Sequence, residues 1–156
     1  MLDVGCGPGR VAERVLEAGA RAYVGVDFSE TMLDLAAERL RRFGSKVRLV
    51  HDDFLDAALG GPFDVVLALG LFDYVAEPQP VARRMHELGS HVVVASFPKW
   101  DWLKGPIRKL RYEIMADCPI FDYTERDARL LFKTSGFASV KVLRCGRTDL
   151  VVRATA

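Results

Sequence analysis

The sequence predicts an α/β fold, a doubly wound and mostly parallel sheet with helices on both faces. Three observations carry this expectation. The hydrophobic pattern switches repeatedly between short apolar runs and helically spaced stripes, as a sheet built from strand–helix–strand crossovers requires. Residues 63–69, FDVVLAL, are almost continuously apolar, as expected of a central strand buried on both sides. A glycine-rich turn, Gly5-Cys6-Gly7-Pro8-Gly9, separates the first strand from the first helix. Glycine there lets the backbone take positive φ angles and come close to a ligand.

The elements follow in order. The first strand is short, Leu2–Val4. Residues 10–18 place Val11, Val15 and Ala18 at helical spacing, and Gly19 stands where the helix should stop. Residues 22–26 form a second strand. Ser29 can cap the next helix, whose Met32, Leu35, Ala36, Leu40 and Phe43 make one apolar stripe before Gly44. Residues 47–50 are a third strand, 63–69 a fourth, 80–88 a weaker helix and 91–97 a fifth strand. Thr124, with Asp127 three residues later, resembles a capping box that opens a helix ended by Gly136. The last two strands, 139–143 and 150–154, are close enough in sequence for an antiparallel hairpin at the sheet edge.

With 156 residues, the chain is expected to form a single domain over residues 1–156. Half of the residues are hydrophobic, 28% are charged, and the formal net charge is +1. That balance gives no overall field for nucleic acid or a membrane surface. No apolar run approaches the ~20 residues that span a bilayer. Cys6, Cys118 and Cys145 are odd in number and far apart, so neither a disulfide framework nor a zinc site is expected. The histidines and carboxylates show no metal-ligand spacing, and no metal is expected. MLDVGCGPGR lacks a charged-then-apolar signal pattern, which points to the cytoplasm. The first strand is already under way at Leu2, so a truncated or minimal form without a helical lead-in is expected.

Three positions converge on the carboxyl ends of neighbouring strands, where open α/β sheets bind ligands. The glycine turn faces a helix N-terminus, with its unpaired N–H groups and positive dipole end. Its pattern is G-x-G-x-G. A dinucleotide turn of the form G-x-G-x-x-G would need glycine where Arg10 stands. Asp27 ends the second strand, where a carboxylate can accept from both hydroxyls of a ribose. His51-Asp52-Asp53-Phe54 follows the third strand and offers an acidic acceptor beside an aromatic ring.

LDVGCGPG, GVDFSETML, the DDF step and FDVVLALGLFDYV, in that order, resemble the successive motifs of class I S-adenosylmethionine-dependent methyltransferases. The motif-level resemblance covers residues 2–97, and beyond them only the arrangement of elements is similar. It implies a Rossmann-like, seven-stranded sheet of order 3-2-1-4-5-7-6 with strand seven antiparallel. It also implies S-adenosylmethionine as cofactor and S-adenosylhomocysteine as product. Carried over by position, Gly5, Gly7 and Gly9 would line the methionine part, with Asp3 supporting the turn and reaching the amino group through water. Asp27 would hold the ribose, and Phe28 and Met32 would pack on the adenine. Asp53 would take the adenine amino group, while the Phe54 N–H faces a ring nitrogen. Leu69 and Gly70 would pass close to the methionine carboxylate and amino group.

The implied reaction is in-line transfer of a methyl group to an oxygen, nitrogen or carbon centre of a small-molecule acceptor. Tyr74 is a candidate to orient that acceptor, and Asp73 a candidate base. Residues 98–123 are expected to form a substrate cap. They mix Trp100, Trp102, Ile107 and Leu110 with Lys104, Arg108, Lys109 and Arg111. Such a segment suits an apolar or anionic acceptor, or a peripheral contact with a membrane surface. The basic run is short, so no nucleic-acid partner is expected. The alternative is a non-catalytic cofactor-binding module or an inactive partner subunit.

Overall fold

The computed structural model describes residues 1–98, 121–145 and 149–155. The described residues form seven strands: β1 Leu2–Val4, β2 Tyr23–Asp27, β3 Val47–His51, β4 Phe63–Ala68, β5 Gly89–Pro98, β6 Ser139–Cys145 and β7 Asp149–Thr155. The α-helices among the described residues are α1 Arg10–Glu17, α2 Glu30–Leu40, α3 Pro78–Leu88 and α4 Glu125–Thr134. The strands hydrogen-bond in the order β3-β2-β1-β4-β5-β7-β6. All neighbours from β3 across to β5 are parallel, and β7 runs antiparallel between β5 and β6. This is the expected order, including the terminal hairpin. The helices α1, α2 and α3 supply crossovers that parallel neighbours require.

Alternate strand residues face opposite sides of the sheet, and two apolar clusters result. Leu2, Val4, Val26 and Val66 pack with Val81 and Met85 of α3 and with Phe132 of α4. On the other side, Tyr23 joins Ala12 and Leu16 of α1 and Leu33, Ala36 and Leu40 of α2. Asp3 lies between Leu2 and Val4 in β1 and is buried, with its carboxylate accepting the Tyr23 hydroxyl at 2.8 Å.

Ser29 caps α2 as expected, its hydroxyl accepting the Met32 N–H at 3.4 Å. The buried stripe of that helix differs from the expected one. Leu33, Ala36 and Leu40 are buried, whereas Met32 and Leu35 are 38% and 52% exposed. Both sets have helical spacing, and packing on the glycine turn selects between them. A Cβ on Gly9 would lie 3.1 Å from Leu40 and 3.3 Å from the Ala36 Cβ, so the missing side chain is what lets this face close. The α-helix ends at Leu40 and continues as 3-10 turns over Arg41–Lys46, which leaves Phe43 outside it. Thr124 and Asp127 form the full capping box at the start of α4.

Of the expected cap, residues 99–120 lie outside the described residues. Just beyond them, the Phe121 N–H donates to the Asp73 carbonyl at 2.8 Å, and Tyr123 packs edge-on to Phe97 at 4.9 Å. None of the described helices is long and apolar enough to cross a membrane.

Candidate active site

The turn after β1 is built from three left-handed glycines, Gly5, Gly7 and Gly9, at φ 67°, 52° and 71°. Only glycine takes such angles in sequence at little cost. At Gly5 space matters as well, since a Cβ would lie 2.9 Å from Leu71 Cδ1. The N–H groups of Gly5 and Cys6 both donate to the Val26 carbonyl, at 2.9 and 3.2 Å, which ties the turn to β2. Gly9 then serves as the N-cap of α1.

Asp27 holds the turn from the neighbouring strand. Its Oδ2 accepts the Gly7 N–H at 2.8 Å, and its Oδ1 accepts the Ser29 N–H at 2.9 Å. Each carboxylate oxygen keeps a second lone pair, so these bonds orient the group and leave acceptor capacity for hydroxyls. Beneath the turn, burial pushes the Asp3 carboxyl up to about 6; the Tyr23 hydrogen bond opposes the rise and the nearby Asp27 adds to it. Burial, followed by the charge of Asp3, also raises the Tyr23 hydroxyl. The Cys6 thiol is pushed up to about 12 by burial first, then by Asp3 and Asp27, which keeps it protonated at neutral pH.

A cavity of about 350 Å³ opens at the carboxyl ends of β1, β2 and β3, beside the chain that follows β4. It brings together Gly5, Asp27, Phe28, Asp53, Phe54 and Tyr74 of the expected site. Asp3, Gly7, Gly9, Met32, Leu69, Gly70 and Asp73 are not among its lining residues. Phe28 is 78% and Tyr74 48% exposed at the mouth, whereas Phe54 is buried in the wall. Asp53 stands in a self-closed turn, with its Oδ1 accepting the Leu55 N–H at 2.7 Å. Gly70 directly precedes the lining residue Leu71, and its N–H donates to Ser96 Oγ at 2.8 Å.

The structure adds residues with no sequence signal of their own. Val75, Glu77 and Val81 also line the cavity, beside Leu71 of the FDVVLALGLFDYV motif. They follow β4 on an irregular path, except Val81, which belongs to the apolar face of α3. Arg84 sits 5.5 Å above the Phe54 ring and donates to the Leu55 and Ala57 carbonyls, fixing the segment after β3. Phe72, next to the candidate residues Asp73 and Tyr74, is fully buried and stacks on Phe97 at 4.6 Å. Among the described residues, no group of three or more His, Cys, Asp or Glu side chains could hold a metal ion.

A seven-stranded sheet of this order, with the glycine turn after β1 at its crevice, defines the fold of class I S-adenosylmethionine-dependent methyltransferases. Residues 1–90 match the family model described as Methyltransferase domain, and the chain belongs to that family. The ubiquinone biosynthesis O-methyltransferase of Methylococcus capsulatus is 38% identical over 82 residues, covering 51% of this chain and 34% of that protein. The ribosomal RNA small subunit methyltransferase H of Dinoroseobacter shibae is 45% identical over 73 residues, covering 45% of this chain and 22% of that protein. This chain therefore spans about a third or less of the length of these curated relatives. Among solved structures, the magnesium protoporphyrin IX methyltransferase of Synechocystis with bound SAH superposes with a TM-score of 0.77 at 22% identity. That match covers 99% of this chain and 72% of the other. A methyltransferase from Mesorhizobium loti gives a TM-score of 0.77 at 20% identity, covering 99% and 89%.

Proposed function

We propose that the protein transfers a methyl group from S-adenosylmethionine to a small-molecule acceptor. The observation that carries this reading is the cavity itself, whose walls combine the Gly5 end of the turn with Asp27, Asp53 and Phe54 from adjacent strands. In this reading Asp27 receives the ribose hydroxyls, Asp53 the adenine amino group, and Phe28, Phe54 and Met32 flank the base. Gly5, Gly7, Gly9, Leu69 and Gly70 pass along the methionine end, with Asp3 beneath them. The chemistry supplied with the cofactor is an electrophilic sulfonium methyl group. The protein's part is to align the acceptor in line with that methyl carbon and to receive a proton where the acceptor carries one. Tyr74, on the cavity rim, orients the acceptor, and Asp73 is the neighbouring base.

The described lining holds the carboxylates of Asp27, Asp52, Asp53 and Glu77 and no basic side chain, which favours an apolar acceptor over an anionic one. The names of two similar proteins, which refer to ubiquinone biosynthesis and magnesium protoporphyrin IX, support a small-molecule acceptor, whereas a third refers to ribosomal RNA. Calorimetry with S-adenosylmethionine and S-adenosylhomocysteine (SAH), followed by a product-mass screen over apolar acceptors, tests the reading. Binding of both and a mass gain of one methyl group on an acceptor are expected. No binding of either would overturn the reading, and binding without transfer to any acceptor would make the chain a cofactor-binding module.

A further inference from the structure

The β2–α2 segment grips the glycine turn at two points. At its start, the Asp27 carboxylate accepts the Gly7 N–H at 2.8 Å. Near the far end of α2, Arg39 Nε donates to the Pro8 carbonyl, also at 2.8 Å. Arg39 adjoins Leu40 and lies one turn beyond Ala36, the two residues that close on Gly9. The glycine turn thus rests on this corner of α2. The Arg39 guanidinium continues to Glu13 of α1 at 3.4 Å, and Glu13 is shared with Arg42 at 3.1 Å.

Pro8 has no N–H, so its carbonyl is its only backbone group able to form a hydrogen bond. The following N–H, of Gly9, donates to the Cys6 carbonyl at 3.2 Å. The Pro8–Gly9 peptide is therefore held on both edges, and Arg39 supplies one of them. Glycines flank this proline on both sides, which makes the stretch the most freely rotating part of the site when it is not held. A turn fixed before the ligand arrives loses less conformational entropy on binding.

We infer that Arg39 is a positioning residue for the cofactor turn, acting through the Pro8 carbonyl and not by touching the ligand. The inference rests on the methyltransferase reading above for its functional consequence. The Arg39 side chain is 36% exposed, and an ion pair at such a site contributes little. The contact that matters is the backbone hydrogen bond, and Glu13 is secondary.

An isosteric series tests this. Arg39→Met puts a methyl carbon at the position of Nε and removes the donor. Arg39→Gln puts an amide nitrogen the same number of bonds from Cα and keeps a donor without the charge. Glu13→Gln removes the ion pairs to Arg39 and Arg42 and leaves the Arg39–Pro8 bond in place. Two readouts are paired: the SAH dissociation constant, and amide hydrogen exchange at Gly7 and Gly9 in the ligand-free protein. Arg39→Met should weaken SAH about threefold to tenfold and speed that exchange, the loss of one charge-assisted hydrogen bond. Arg39→Gln and Glu13→Gln should both stay within about twofold of the parent. If Met and Gln behave alike, or Glu13→Gln matches Arg39→Met, the inference falls. If the parent protein binds no SAH, the methyltransferase reading falls instead, and the exchange rates alone decide whether Arg39 orders the turn.

Discussion

Asp27 Oδ2 accepts the Gly7 N–H at 2.8 Å, which makes the end of β2 and the turn after β1 one hydrogen-bonded unit. The same carboxylate accepts the Ser29 N–H at 2.9 Å, so it also opens α2. An amide cannot replace it, because Asn has one acceptor oxygen and would face an N–H donor with its own NH2 group. Asp27→Asn should cost about 1–3 kcal/mol of stability, read from urea unfolding, together with most SAH binding. An unchanged unfolding midpoint would show that the bonds to Gly7 and Ser29 are not structural.

Asp3 gives stability a pH dependence opposite to that of a salt-bridged carboxylate. Its carboxyl is raised to about 6 in the folded protein, against about 4 in an unfolded chain. The native state therefore holds this proton more tightly, and stability falls as pH rises from about 4 to about 6, then stays at the lower level. Asp3→Asn is neutral throughout and keeps an acceptor for the Tyr23 hydroxyl. It should match the parent near pH 4 and exceed it at pH 8 by an amount on the order of 2–3 kcal/mol. Denaturant unfolding at the two pH values checks this, and a gap that does not change with pH would exclude Asp3 as its source.

Gly25 is held by its neighbours and not by its backbone angles. A Cβ there would meet Cys6 Sγ at 2.8 Å and Tyr23 Cε1 at 3.0 Å. Gly25→Ala should cost about 1–3 kcal/mol through overpacking. In the Cys6→Ala background the same change should cost less, because one of the clashing atoms is gone. A double-mutant cycle measures this coupling, and purely additive costs would count against the packing argument.

Two phenylalanines of the cavity should separate binding from folding. Phe28 is 78% exposed and Phe54 8% exposed. Phe28→Ala should leave the unfolding free energy within about 0.5 kcal/mol and weaken SAH measurably. Phe54→Ala should cost about 3 kcal/mol or more, because its ring is part of the wall beneath Arg84. Calorimetry and denaturant unfolding on both variants distinguish the two roles.

Strands and turns were legible where the cause is local. The Thr124–Asp127 capping box, the Ser29 cap and the apolar run of β4 depend on neighbours a few residues away, and they are where the sequence puts them. The buried face of α2 was not legible. Met32 and Leu35 fit the helical period as well as Leu33 does, and only packing against Gly9 and α1 separates them. The site divides in the same way. Gly5, Asp27 and Asp53 stand at strand ends, a position that pattern reveals, and all three line the cavity. Val75 and Glu77 come from irregular chain after β4, and Arg84 acts across a long sequence separation, so periodicity says nothing of them. The acidic motif residue Asp27 also carries a structural duty toward Gly7 that no spacing announces.

At the centre of the sheet, β1 pairs with β4 through Leu2↔Val66 and Asp3↔Leu67, and with β2 from Leu2↔Val24 to Val4↔Val26. The cavity lies over the carboxyl ends of these central strands. Gly5, Asp27 and Asp53 line it at the carboxyl ends of β1, β2 and β3, and Leu71, Tyr74 and Glu77 from the segment after β4. A ligand seated there would act as a rivet between these strand ends. Its linkage free energy would be felt most by the amides of Asp3 and Leu67 and least by the β6–β7 hairpin, which hydrogen exchange with and without SAH can resolve. Equal slowing everywhere would mean that the sheet opens only as a whole. Joining the segments at the ends of four strands, the nucleoside would serve as an extra rung of the protein's own architecture.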